Sequence, residues 1–96
     1  MIKPTVGRVI WWFEHDGTTD LVVGPMVALI AAVLPSGRVN LVGWDLEGES
    51  CKGLKHVRIV EDGDATDEDV WAQWMPYQQE QAAKTEQLEE KLRGAT

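Results

Sequence analysis

From Met26 to Leu34 the chain carries nine apolar residues in a row, and Pro35-Ser36-Gly37 stops them. A helix that spans a bilayer takes about 20 such residues, so this run predicts no membrane span. Periodicity alone does not separate a buried strand from a buried helix in so short a run. Ala28, Ala31 and Ala32 tolerate helix, but Pro25 before the run and the turn residues after it favour a strand. The segment from Arg38 to Trp44 then places Val39 and Leu41 on one face and Asn40, Val42 and Trp44 on the other. Met26 to Trp44 therefore predicts a β-hairpin. Its first strand is apolar on both faces and needs cover on both. One cover is a barrel interior, the other a helix or another subunit.

Thr5 to Phe13 predicts the first strand. Gly7, Val9, Trp11 and Phe13 form the expected core face, which leaves Trp12 beside Arg8 on the outside. Leu21-Val22-Val23 leads back into the hairpin. Ser50 to Lys55 predicts a fourth strand and Val57 to Val60 a fifth, with an irregular passage through Gly53-Leu54-Lys55-His56. Five short strands in sequence bury one apolar face by curling, and closure removes exposed edges. The expected fold is thus mainly β, a small five-stranded SH3-like barrel over 1–60. A curled antiparallel sheet covered by the C-terminal helix is the alternative.

Residues 61–77 read as an acidic link followed by a short Trp-rich helical turn. Thr66 caps that turn, Asp67, Glu68 and Asp69 suit its first residues, and Trp71, Trp74 and Met75 fall on one face. Pro76 is expected to end it. Carboxylates at 62, 64, 67 and 69 resemble a calcium loop, but Asp67 stands where that loop needs Gly. Residues 78–96 predict an amphipathic helix stopped by Gly94, with Glu80–Lys84 and Glu89–Arg93 as supporting pairs. Its apolar stripe of Leu88 and Leu92 is narrow, so it reads either as a frayed tail or as a helix steadied by a neighbour, such as the same helix of another subunit.

Charge changes the picture in one respect. The net charge of −7 lies wholly in residues 61–96, which hold ten acidic and three basic residues, whereas 1–60 balance at six each. The acidic tail disfavours generic nucleic-acid binding but leaves room for a small anion in a local basic pocket. A lone Cys51 excludes an internal disulfide, and no stretch resembles a signal peptide, so a cytosolic protein is expected.

The candidate chemistry is sparse. His15 lies among Glu14, Asp16 and Asp20, but His56 is far off and follows Lys55, so no metal-ligand spacing emerges. Gly48, Gly53 and Gly63 are isolated and form no phosphate loop. No nucleophile or acid/base pair shows a motif, so the reading is non-enzymatic, with no cofactor and no metal. Five Trp residues against one Phe and one Tyr point instead to binding. Trp11, Trp12, Trp44 and Tyr77 are candidates to stack on a base. Arg8, Arg38 and Asn40 are candidates for phosphate and ribose.

The alanine-rich strand, Val39-Asn40-Leu41-Val42-Gly43-Trp44-Asp45, and the closing Trp74-Met75-Pro76-Tyr77-Gln78 resemble a family of small, mostly uncharacterised proteins of tailed bacteriophages. The resemblance spans roughly residues 6–78 and departs from the family pattern at Leu46-Glu47-Gly48-Glu49. It implies a phage origin and a small barrel, which makes the cytosol expected above the host cytoplasm, and it carries no catalytic residues. The expected function is a homo-oligomer that binds a small anionic ligand, such as a counter-defence sponge for a host nucleotide immune signal. The alternatives are a virion or assembly accessory protein (decoration, adaptor or tail component) and an inhibitor docking on a host protein.

Overall fold

The computed structural model describes residues 2–19, 21–61 and 68–94. They form β1 (Val9–His15), β2 (Val22–Val33), β3 (Val39–Trp44), β4 (Cys51–Ile59), β5 (Val70–Gln73) and α1 (Pro76–Gly94). The strands close into a barrel in chain order, and the helix follows. Each strand is antiparallel to the next through β4, and β5 completes the ring antiparallel to β1 and parallel to β4.

The central hairpin forms as the pattern predicts. Ala28, Leu29 and Ile30 pair with Gly43, Val42 and Leu41, and the Leu34 amide donates to the Arg38 carbonyl across the turn. β2 is longer than the apolar run and passes through Gly24 and Pro25. Gly24 has φ of +137°, beside the register shift between Trp12 and Glu14, and a Cβ there would lie 2.8 Å from the Phe13 ring.

The face assigned to the first strand is corrected. Ile10 and Trp12 are buried, Val9 is exposed, and Trp11 and Phe13 are half-buried on the outer wall. Register explains it. Ile10 lies opposite Ala28 and Trp12 opposite Met26, the inward positions of β2. These residues join Ile30, Val39, Leu41, Leu54, Val57, Ala72 and Trp74 in one core. The Trp12 indole N–H keeps a partner inside by donating to the Trp44 carbonyl at 3.1 Å.

The expected fourth and fifth strands are one strand. Val39 pairs with Val57 and Leu41 with Leu54, so β4 accommodates one extra residue in the irregular passage. His56, at φ of 55°, sits there. The fifth strand of the barrel is β5, where a helical turn was expected. Trp12 pairs with Ala72 and Phe13 with Trp71 on one side of it, Arg58 with Trp71 on the other. A boundary at residue 60 would therefore leave the barrel open. The proposed Thr66 cap and three carboxylates of the calcium-like run lie outside the described residues.

The β3–β4 turn is tied by Asp45. Its carboxylate accepts from the Ser50 hydroxyl at 2.7 Å and from the amides of Glu47 and Glu49 at 3.1 Å. These bonds, Ser50 first, hold its pKa below the ordinary 3.8. A depressed carboxyl adds stability above its ordinary pKa and loses it as pH falls through the folded value. Asp45→Asn is therefore expected to lower the melting temperature at neutral pH and to flatten its decline below about pH 4. Parallel melting curves for the two proteins across that range would refute the assignment.

Pro76 opens α1 rather than ending a turn, a position that suits its fixed φ and missing N–H. The expected pairs form, Glu80–Lys84 and Glu89–Arg93, each at 3.8 Å. No residue of α1 is fully buried; Ala82 packs, half-buried, against the core. The helix thus leaves the outer face of β2 uncovered. No described helix is long and apolar enough to cross a membrane.

Candidate functional site

The seven binding candidates from the sequence are dispersed, and most have structural duties. Asn40 accepts from the His56 amide at 3.0 Å, and Arg38 donates to the His56 carbonyl at 3.0 Å. Side chains thus satisfy the bulged residue that the ladder leaves unpaired. Arg38 also donates to Glu68 at 2.8 Å, which ties the hairpin tip to the approach of β5. Trp12 is interior, and the Trp44 carbonyl holds its indole. Trp11 is half-buried on the outer wall, opposite Val27 and Gln73.

Arg8 and Tyr77 are the pair that the fold brings together. Both line a groove of about 470 Å³ between the N-terminal arm and α1. Lys3 stands with them, and Gln81, Glu86 and Glu89 line the helical side. The volume lies within the range of about 300–1,000 Å³ that small-molecule sites occupy. Tyr77 is 68% exposed, so its ring is open to a planar partner.

Arg8 is held before any ligand arrives. Its guanidinium carbon lies 5.4 Å from the centre of the Trp74 ring, and one nitrogen donates to the Lys3 carbonyl at 3.4 Å. That contact holds the guanidinium over the ring and leaves further N–H groups to donate. The groove is polarised, with Lys3 and Arg8 on one wall and Glu86 and Glu89 on the other. A bare phosphate would face two carboxylates. A ligand with an anionic part and a hydroxyl-bearing or amine-bearing part fits both walls.

Gln78 builds this site and escaped the sequence reading. Its side-chain oxygen accepts from the Met75 amide at 2.9 Å, a reach back from the third helical residue to the cap. Its amide nitrogen donates to the Val9 carbonyl at 2.7 Å. β5 ends at Gln73, opposite Trp11, so no strand serves that carbonyl on this side. The signal in the sequence is Gln two places after Pro76, the position of a capping-box residue.

Elsewhere, Phe13 stacks on Trp71 at 5.7 Å and 9°, and His15 tilts onto the same ring at 4.8 Å. His15 Nδ1 lies 3.2 Å from the Glu68 carbonyl. Among the described residues no three His, Cys, Asp or Glu side chains converge as metal ligands. A smaller cavity of about 150 Å³ includes Trp12, Glu14, Cys51 and Lys52. Lys52 closes it, 5.2 Å from the Trp12 ring and 3.7 Å from Glu14. The chain matches no family model, no curated protein and no solved structure.

Proposed function

We propose that the chain is a non-enzymatic phage protein that binds a small anionic ligand of nucleotide type and acts as a homo-oligomer. The observation that carries this reading is the groove that gathers Lys3, Arg8 and Tyr77 opposite Glu86 and Glu89. The cations suit a phosphate, the Tyr77 ring a base, and the carboxylates the hydroxyls of a ribose. A protein that holds such a ligand without transforming it would sequester a host nucleotide immune signal.

Titration of the chain with cyclic dinucleotides and ADP-ribose-type nucleotides tests the reading, followed by chromatography of the released ligand. Binding with unchanged ligand is the expected result. Arg8→Ala and Tyr77→Ala should each weaken it at least tenfold, about 1.4 kcal/mol. No heat and no thermal shift with any of these at millimolar concentration would overturn it.

A second reading, a virion or assembly accessory, draws on the uncovered apolar wall of the barrel and the projecting helix. Mass spectrometry of purified particles separates the two. An assembly accessory is retained in the particle, and a sponge is left in the lysate.

A further inference from the structure

The groove beside α1 is long as well as polarised. Tyr77, Gln81, Thr85 and Glu89 line it at four-residue spacing, so it follows one face of the helix. The rise from Tyr77 to Glu89 is about 18 Å. A volume of about 470 Å³ spread over that length makes a trough on the order of 5 Å across.

Its two ends differ in chemistry. Arg8 stands at the Tyr77 end, because its guanidinium lies over Trp74 and the next residue, Val9, is bonded to Gln78. A base on Tyr77 and phosphates on Arg8 therefore occupy only the first turns of α1. The far end offers acceptors. The Thr85 hydroxyl gives its proton to the Gln81 carbonyl at 3.0 Å, which leaves its oxygen to accept. Glu86 and Glu89 add carboxylates on the same side. Arg93, 3.8 Å from Glu89, answers part of that charge and leaves lone pairs, so an uncharged donor such as a hydroxyl suits this end better than a cation.

We infer that the ligand is linear, a nucleoside diphosphate carrying a sugar on its terminal phosphate, with the base at Tyr77 and the sugar hydroxyls at Thr85 and Glu89. The inference rests on the nucleotide reading above and names its ligand class. Length selects against a single nucleotide, which ends short of Glu89 and leaves the far acceptors to water. Width selects against a cyclic dinucleotide, whose two nucleotides lie side by side. Charge places the diphosphate by Arg8, away from the carboxylates of the far end.

Calorimetric titration of the full chain with ADP, ADP-ribose, ADP-glucose and cyclic diadenylate tests this, with Glu89→Ala and Tyr77→Ala beside the parent. Stacking does not select a base, so an adenine series serves. ADP-ribose and ADP-glucose should each bind about tenfold or more tighter than ADP, and tighter than the cyclic compound. Glu89→Ala should weaken the two sugar diphosphates about tenfold more than it weakens ADP, whereas Tyr77→Ala should weaken all three by one factor. Glu89 is exposed and alanine favours helix, so the variant should fold, as an unchanged far-ultraviolet spectrum would verify. Equal affinity for ADP and the sugar diphosphates overturns the inference, as does tighter binding of cyclic diadenylate. So does a Glu89→Ala loss shared equally by ADP and the sugar diphosphates. In each of these cases a nucleotide is still bound, so the broader reading of the groove stands. No binding of any of the four overturns both.

Discussion

Trp12→Ala is expected to cost about 3–5 kcal/mol, the range for truncating a large interior aromatic. Domains of this size are stable by about 5–15 kcal/mol, so the variant should keep at most a fraction of that margin. Trp12 is 1% exposed and stands between the β1–β2 pair and the β3–β4 pair. Its removal leaves a void that Met26 and Leu54 cannot close without shifting strands. The melting temperature should fall by more than about 10 °C, given about 4–8 °C for each kcal/mol in a domain this small. Trp12→Phe keeps most of the volume but leaves the Trp44 carbonyl without its donor. It should cost about 1–3 kcal/mol. A Trp12→Ala protein melting within a few degrees of its parent would place the indole outside the barrel.

Gly43→Ala should produce the second large effect. A Cβ at Gly43 would lie 2.7 Å from the Trp12 indole nitrogen and 2.8 Å from Leu54 Cδ1. The leucine methyl can rotate aside, but the indole is walled in and bonded to the neighbouring backbone. Overpacking of this kind costs about 1–3 kcal/mol. Gly53→Ala on the adjoining strand is the control, because nothing lies within 4 Å of a Cβ there. It should change stability by less than about 0.5 kcal/mol. Chemical denaturation of the two variants decides the matter, and equal losses would mean that the inward face of β3 is misassigned.

The parts of this fold that the sequence announces are those whose local chemistry and tertiary role agree. Pro35-Ser36-Gly37 turns the chain in the way that its neighbours require, and the charge pairs of α1 sit at helical spacing. The inward face of β1 was illegible, because Thr5 to Phe13 holds apolar residues at both parities. In the alternation pattern Arg8 marks an outward face that includes Trp12. It precedes the strand and rests on Trp74, so its charge says nothing about Trp12. β5 was illegible for a different reason. Trp71, Trp74 and Met75 have helical spacing, and four residues carry too weak a preference to resist closure of the ring. The binding candidates follow from residue chemistry alone. Only the fold shows that Asn40 and Arg38 serve the backbone of His56, while Lys3 and the acids of α1 surround Arg8 and Tyr77.

Gln78 joins α1 to β1 through a single amide group, with the cap on one side and the Val9 carbonyl on the other. Ala82, in the second turn, packs against the core while no residue of the helix is fully buried, so its heading is set mainly within the first two turns. Nineteen residues make a rod about 28 Å long, and a swing of about 10° at its root moves the tip by about 5 Å. The first turn is therefore a pivot with long leverage. A ligand that shifts Tyr77 by a fraction of an ångström would be read out as a far larger excursion at Leu92.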